Sequence, residues 1–270
     1  MLPVGELLKS ENTASSLADF KNHIKEGGEI IMATSIDLDK EAAIINTKLT
    51  IDLNNKSIVG GLFSESNGSM NEGTSDSYAF WVKEGGDLTI EGKGEVVAQD
   101  ASYSMAVWAN GGNVTIKGGT FRNGGDGTDL IYASAGGNVY IYGGEFIGAE
   151  NTGSESGTAN KFSLLNVKDK DYKSGVSNIV VYGGIFYGFN PADNLSEGYG
   201  TNFVADGYES IEIEPNVWKV QKIKSNIENT KMYYGTIVSP KFTSFSELKE
   251  SDINQAIKAG TLIESDVKTM

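Results

Sequence analysis

Two carboxylates close together in a sequence can form a catalytic pair, and this chain has such a pair at a glycine-rich turn. Asp126 and Asp129 lie near Arg122, the only arginine of the chain. A carboxylate pair could hydrolyse a glycosidic bond, while acidic Ca²⁺ ligands beside a lysine or arginine base would suit a lyase. Aspartate and glycine are also ordinary turn residues, so we interpret the segment as a solvated turn. The charged residues 168–173 alternate in sign and are interpreted as a solvated loop.

Composition restricts the other catalytic chemistries. His23 is the only histidine and cysteine is absent, which excludes serine–histidine machinery, histidine-based metal sites and thiolate sites. We therefore predict that the chain is not an enzyme and holds no cofactor or metal. The formal net charge of −14 repels nucleic acid and anionic membrane surfaces, so neither is an expected partner.

Aromatic side chains are the stronger candidates for a binding surface. A patch that faces outward on neighbouring strands is expected to contain Tyr140, Tyr142, Val180 and Tyr182, with Tyr187 and Phe189 nearby. Such a patch could seal a subunit interface or stack on sugar rings, and we favour the interface. The same pattern also follows from the β-propensity of aromatic and β-branched residues on exposed strands.

Trp81, Trp108 and Tyr132 form a second set, which we call the tryptophan column. The sequence leaves the orientation of the column open. If the three side chains point inward they belong to the core, and if they point outward they form a binding platform. We favour the core.

A repeated segment indicates the elements that position these side chains. Two glycines, a polar residue, an alternating apolar pair, two more glycines and an aromatic residue recur at residues 111–121 and 136–146, with a related copy at 177–186 and a weaker one at 85–92. Leu88 and Val114 are 26 residues apart, and Val114 and Val139 are 25 apart. The next interval is about 15 residues longer, with the excess in residues 151–160 and 168–174.

A period near 25 with two-residue alternation excludes helical repeats and predicts stacked rungs of short strands turned at glycines. The predicted fold is all-β, a right-handed, single-stranded parallel β-helix with strands about 4.8 Å apart. Glu91 and Lys117 should be outward neighbours on adjacent rungs. The expected inward columns are Val114, Ile116, Val139, Ile141, Ile179 and Val181, followed by a stack of Phe121, Phe146 and Phe186.

Three regions are predicted. Residues 1–28 are an N-terminal segment with an amphipathic capping helix, in which Leu17, Phe20 and Ile24 have helical spacing. Residues 29–223 are the β-helix, closed by a hairpin at 211–220. Residues 224–270 are a separate module with helical signals from Ser244 to Glu247 and at 251–260. The first residues lack the pattern of a secretory signal, and no segment is long enough to span a membrane.

The glycine-flanked strands and the N-terminal helix resemble the pectin-lyase-like β-helix superfamily over residues 12–223. Residues 183–191, followed by 203–208, are similar to a late-coil motif of phage virion proteins and of surface proteins from gut bacteria. Residues 233–235, followed by 251–253, resemble C-terminal segments of phage tail and head-fibre proteins.

The resemblance implies a structural, non-enzymatic phage virion appendage, such as a head fibre or a spike-like capsid decoration, assembled in the host cytoplasm. The expected partners are further copies of the chain, as a trimer or a dimer, and other virion or capsid proteins, with host surface glycans as additional candidates. The residues expected to attach the module are Tyr233, Tyr234, Phe242, Phe245, Ile253 and Ile257.

Two alternatives to the virion appendage remain. A carbohydrate-binding adhesin, secreted or on a bacterial cell surface, is favoured if Trp81 and Trp108 point outward. A polysaccharide lyase or hydrolase is favoured if acidic residues converge in one groove beside lysine or arginine.

Overall fold

The protein is described from a computed structural model, which covers residues 12–63, 76–101, 103–124, 129–148, 163–223, 232–238 and 241–248. The chain divides into two compact units, Met1–Lys222 and Ile223–Met270. In chain order, the elements of the first unit are β1 (Thr13–Ala14), α1 (Leu17–Glu26), β2 (Gly28–Met32), β3 (Ile36–Asp37), β4 (Ala43–Ile45), β5 (Lys48–Asp52), β6 (Lys56–Val59), β7 (Gly61–Phe63), β8 (Asp76–Lys83), β9 (Asp87–Glu91), β10 (Gly94–Ala98), β11 (Tyr103–Asn110), β12 (Asn113–Ile116), β13 (Thr120–Asn123), β14 (Ile131–Ser134), β15 (Asn138–Ile141), β16 (Glu145–Ile147), β17 (Leu165–Val167), α2 (Asp169–Ser174), β18 (Asn178–Val181), β19 (Gly184–Tyr187), β20 (Tyr208–Glu214) and β21 (Val217–Lys222). The second unit contains β22 (Met232–Val238) and β23 (Lys241–Leu248).

The strands of the first unit form three sheets that the chain visits in rotation. Sheet I has the order β1-β2-β5-β9-β12-β15-β18, sheet II begins β3-β6-β10-β13-β16-β19, and sheet III is β4-β8-β11-β14-β17. Neighbouring strands in these series pair in parallel, so each new strand lies beside its equivalent from the preceding round. The prediction of a β-rich fold with parallel sheets is therefore confirmed. The short strand β7 is an exception, since it pairs with β8 antiparallel.

The predicted register is also confirmed. Leu88, Val114, Val139 and Ile179 pair in sequence across sheet I. The predicted inward side chains of β12, β15 and β18 are all buried. In sheet II, Phe121 and Phe146 stack with ring centroids 5.2 Å apart, and Phe146 and Phe186 with centroids 4.8 Å apart. One continuous apolar core therefore lies between the three sheets.

The glycines between sheets I and II are required by close approach of successive rounds. A Cβ atom on Gly143 would lie 2.7 Å from the carbonyl oxygen of Lys117, and one on Gly118 would lie 2.7 Å from that of Gly92. These distances are too short for any side chain, so the turns form a corner of bare backbone.

The N-terminal helix α1 covers one end of the core, as predicted. Ser16 caps it by accepting a hydrogen bond from the Asp19 backbone N–H at 3.1 Å. Phe20 and Ile24 are buried in the main core, and Gly27 ends the helix with φ +77°.

The other end of the unit contains the predicted closing hairpin. β19 pairs antiparallel with β21, and β21 pairs antiparallel with β20. Before the hairpin, Val204 forms an isolated parallel bridge with Val181, beside the last strand of sheet I. The connection between β19 and β20 therefore adds a further contact at this end of the sheets.

The prediction of a loop at residues 168–173 is wrong in conformation. Most of this segment forms the helix α2, although it carries exposed charges as expected. Lys173 and Asp169 are one helical turn apart at 3.5 Å, and Gly175 ends the helix in the left-handed conformation. Alternating charge indicates exposure, and it does not distinguish a loop from a short solvated helix.

In the second unit, β22 and β23 form an antiparallel hairpin. The helical signal from Ser244 to Glu247 is therefore wrong, because both residues lie on β23. Phe242, Thr243 and Phe245 have high strand propensity, which outweighs the local capping pattern. The second helical signal, at residues 251–260, lies outside the described residues, as do Ile253 and Ile257. The other four residues expected to attach the module are Tyr233, Tyr234, Phe242 and Phe245, all on the hairpin.

Candidate functional site

A stack of tyrosine rings lies where sheet I meets the glycine turns. Tyr142 and Tyr182 directly follow β15 and β18, and their rings are parallel, with centroids 4.6 Å apart and planes inclined by 5°. Tyr208 meets Tyr182 edge-on at 5.3 Å. Tyr142 is 52% exposed. We call these three residues the tyrosine stack.

One face of Tyr142 has no aromatic partner among the described residues. The equivalent position in the preceding round belongs to Lys117, because Ile116 pairs with Ile141. The ammonium group of Lys117 lies 3.2 Å from Glu91 Oε2, which confirms the predicted pair and directs the lysine away from Tyr142. The open face of Tyr142 is therefore turned toward a position that no ring of the described residues occupies.

A groove of about 630 Å³ runs along the same corner. We call it the glycine trough, because seven glycines from four successive turns line it, and Gly143 directly follows Tyr142. The lining residues are Gly92, Lys93, Gly94, Lys117, Gly118, Gly119, Thr120, Gly143, Gly144, Glu145, Gly184, Ile185 and Lys219.

The polar side chains of the trough are mostly lysines. Lys93, Lys117 and Lys219 are exposed, and Glu145 is half-buried. Lys117 is paired with Glu91, whereas Lys93 and Lys219 form no ion pair with any described residue. The trough thus combines a floor of backbone groups with exposed lysine ammonium groups, which suits a flat polar ligand.

The rest of the predicted aromatic patch is only partly exposed. Tyr140 and Val180 pair in register on sheet I and are half-buried, and Tyr187 is 37% exposed. Phe189 is 7% exposed and packs in the main core, so its predicted outward position is wrong. Gly188, with φ +72°, changes the direction of the chain just before it.

The tryptophan column lies on the outer face of sheet III. Phe80 and Val82, which flank Trp81, belong to the main core, whereas Trp81, Trp108 and Tyr132 pack in a separate cluster. The favoured assignment to the core between the sheets is therefore wrong. The reason is the strict alternation of side chains along the second half of β8, which places Trp81 opposite its buried neighbours.

The column is outward but is not an open platform. Trp81 and Trp108 stack with centroids 4.8 Å apart and planes inclined by 8°. Trp108 is only 6% exposed, and its indole N–H donates to Ser134 Oγ at 2.9 Å. Tyr132 follows at 6.5 Å from Trp108, inclined by 42°.

Asp129 is buried beside the end of this column, so its interpretation as a solvated turn residue is wrong. Its Oδ1 accepts hydrogen bonds from the Ser163 backbone N–H at 2.9 Å and from Asn166 Nδ2 at 3.0 Å. Burial raises its pKa to about 7, against the lowering effect of these two hydrogen bonds. Asp126, its predicted companion, lies outside the described residues.

Glu197 is the acidic residue that the sequence did not indicate. It lies in the connection between β19 and β20, and its Oε1 accepts a hydrogen bond from the Val167 backbone N–H at 2.7 Å. Burial raises its pKa to about 7, with further contributions from Asp169 and Asp129. No repeat includes Glu197, so periodicity offered no signal for it.

No group of three or more histidine, cysteine, aspartate or glutamate side chains is placed to hold a metal ion within the described ranges. The same part of the chain contains no helix that is long and apolar enough to cross a membrane. No protein-family model matches the chain, and no curated protein or solved structure matches it either.

Proposed function

We propose that this chain is a rigid, non-enzymatic scaffold that binds glycans in the glycine trough beside Tyr142. The observation that carries the proposal is the open face of Tyr142. A flat ring placed one strand spacing from Tyr142 would continue the tyrosine stack, since Tyr142 and Tyr182 are themselves 4.6 Å apart. Aromatic side chains in binding sites contribute a large apolar face of this kind.

The walls of the trough suit sugar hydroxyl groups. Lys93 and Lys219 supply donors that are free of ion pairs among the described residues, and Thr120 and Glu145 supply acceptors. The backbone floor allows a chain of sugar rings to approach closely, because no side chain projects from it. A few convergent polar groups around an apolar contact are the usual composition of a ligand site.

Binding is favoured over cleavage at this site. Hydrolysis of a glycosidic bond uses two carboxyl groups on either side of the bond. Glu145 is the single carboxylate among the lining residues of the trough.

The scaffold is proposed to be a right-handed parallel β-helix. The rotation of the chain through three parallel sheets supports the helix, and crossovers between parallel strands of one sheet are right-handed in about 98% of cases. The seven strands of sheet I at about 4.8 Å spacing span roughly 30 Å. Such a stack provides rigid length without a cofactor.

A phage virion appendage, a head fibre or spike-like decoration, is the context that we propose for this scaffold. The support is the separate second unit with its β22–β23 hairpin, which would join copies of the chain as a trimer or dimer and attach them to other virion proteins. A carbohydrate-binding adhesin on a bacterial surface would use the same trough.

A glycan array tests the binding proposal. The full chain is expected to bind at least one glycan, and Tyr142→Ala is expected to weaken that binding about tenfold or more, since an aromatic face is lost. Tyr187→Ala is the matched control, because Tyr187 is exposed on sheet II and is not part of the tyrosine stack. The proposal fails if no glycan binds, or if both variants bind like the unaltered chain.

A further inference from the structure

The tryptophan column ends in a cluster of oxygen atoms. Tyr132, its last aromatic member, pairs in register with Asn166 on β17. The Asn166 amide donates to Asp129 Oδ1 at 3.0 Å, and the next backbone N–H, that of Val167, donates to Glu197 Oε1 at 2.7 Å. We call Tyr132, Asn166, Asp129 and Glu197 the acidic end of the column.

Two oxygen atoms at the acidic end have no hydrogen-bond partner among the described residues. Both hydrogen bonds to Asp129 converge on Oδ1, and the bond to Glu197 is made by Oε1. Glu197 Oε2 and Asn166 Oδ1 are buried without a hydrogen-bond partner in the part of the chain that the structure describes. Buried acceptors of this kind are costly unless a donor or a cation satisfies them.

Negative charge surrounds the Tyr132 ring. Burial raises the pKa of the Tyr132 hydroxyl, and the negative charges of Asp129 and Glu197, and of Asp171 and Asp169 on α2, raise it further. Lys173 is the cation that acts on Glu197, but it is already 3.5 Å from Asp169 and 70% exposed. Four carboxyl groups therefore act on this end of the column, against one lysine.

The other end of the column already binds a cation. The Lys83 ammonium group lies over the Trp81 ring, 4.1 Å from the centroid. No lysine or arginine of the described residues lies over Tyr132 in the same way. The chain thus uses its own ammonium at Trp81 and presents an aromatic ring with carboxylates, without a cation, at Tyr132.

We propose that the acidic end is a binding site for an organic cation, a protonated amine or a quaternary ammonium group. The ring of Tyr132 would contact the carbon atoms of the ligand and attract its charge, as aromatic residues do in ammonium sites. The free oxygens of Glu197 and Asn166 would complete the contact. This site is separate from the glycine trough and does not depend on glycan binding there.

An organic cation fits better than a metal ion for two reasons. A bare metal ion would leave the aromatic surface of Tyr132 uncovered, whereas an alkylammonium has both charge and apolar surface. No described group of three acidic or histidine side chains is placed to ligate a metal.

Calorimetric titration of the full chain with choline tests the site. The control ligand is 3,3-dimethylbutan-1-ol, which has the same shape without the charge. Choline is expected to bind at about pH 8 at least about tenfold more tightly than the alcohol. Equal binding of the two ligands, or no binding of choline, overturns the proposal. Calcium chloride in place of choline, if it binds more tightly, overturns it as well.

Variants and pH locate the binding. Tyr132→Leu and Glu197→Gln should each weaken choline binding about tenfold, whereas Tyr187→Leu should leave it unchanged. Choline binding should weaken as the pH falls from about 8 to about 6, because Asp129 and Glu197, each with a pKa of about 7, become neutral while choline keeps its charge. Binding that is independent of pH and of both variants assigns choline to another place and overturns the proposal. Circular dichroism of each variant checks that it is folded.

Discussion

Lys117 binds Glu91 at 3.2 Å and leaves the adjacent face of Tyr142 without an aromatic partner among the described residues. Glu91 ends β9, and Lys117 and Tyr142 directly follow β12 and β15, so the three residues occupy equivalent positions in three successive rounds. A surface ion pair of this kind adds little to stability. Its main effect is to fix the direction of the Lys117 side chain.

Replacing the partner of Lys117 should therefore reduce ligand binding. In Glu91→Gln the lysine is free to lie over Tyr142 by a cation–π contact, and we expect glycan affinity to fall several-fold with little change in thermal stability. Glu95→Gln is the matched control, because it breaks a comparable surface pair, with Arg122 at 3.6 Å. Glycan binding that is equal in the two variants would contradict this role of Lys117.

The phenylalanine stack should be a main source of stability. Phe146 is fully buried between Phe121 and Phe186, so Phe146→Ala removes two ring contacts and leaves a cavity. We expect it to lower the free energy of unfolding by about 3–5 kcal/mol, measured by chemical denaturation. Tyr187→Ala, an exposed neighbour in sheet II, should cost far less. Similar losses for both would show that the stack contributes little.

The corner glycines should tolerate no side chain. In Gly143→Ala the new Cβ would lie 2.7 Å from the Lys117 carbonyl oxygen, so two rounds must separate locally, at a cost of about 1–3 kcal/mol. Gly207→Asn is the comparison, because Gly207 has open space around it and a φ of +79° that asparagine can adopt. Thermal denaturation of both variants measures the difference, and the expectation fails if Gly143→Ala is as stable as the unaltered chain.

Stability should fall as the pH rises toward neutrality. Burial raises the pKa of Asp129 from 3.8 to about 7, so between these values the folded protein retains a proton that the unfolded chain releases. The folded state is therefore favoured at low pH and loses this contribution up to about pH 7. Asp129→Asn should weaken this pH dependence, leaving the part that comes from Glu197, and should stabilise the protein at pH 8 by on the order of 2 kcal/mol, with little change near pH 4. Urea denaturation across this pH range gives the slope of the free energy of unfolding against pH for the unaltered chain and for Asp129→Asn. Identical slopes in the two proteins would exclude Asp129 as a cause.

The second unit should control assembly. We expect the full chain to form an oligomer, a trimer or a dimer, and a version that ends at Ile223 to be a monomer, because the proposed subunit contacts lie in the second unit. Light scattering gives the mass of each form. A monomer in both cases would remove the support for a virion appendage and leave the glycan proposal in place, since the trough lies entirely in the first unit.

The repeat made the sheets and their register predictable, because the same alternation of apolar residues and the same glycine turns recur in every round. Val114 and Val139 are 25 residues apart in the sequence and are partners in sheet I. A two-residue alternation then determines which side chains point inward. The helix α1 was also readable, since its cap and apolar spacing are local signals.

Features outside the repeat were not predictable in the same way. Ala79 and Phe80 are neighbours on β8, yet both lie in the main core, so alternation is broken in the strand that carries Trp81. Asp129 and Glu197 obtain their environment from residues more than 29 positions away, at Ser163 and Val167. No local pattern encodes such contacts, which depend on how the connections between strands fold over the sheets.

The stacking of each round on its neighbours alone also makes the protein adjustable in length. A duplication of residues 113–137 would insert one more copy of β12, β13 and β14 between existing partners with the same register. The capping helix and the closing hairpin would keep the contacts they have now. Each round of about 25 residues would therefore change the length of the stack by about 4.8 Å.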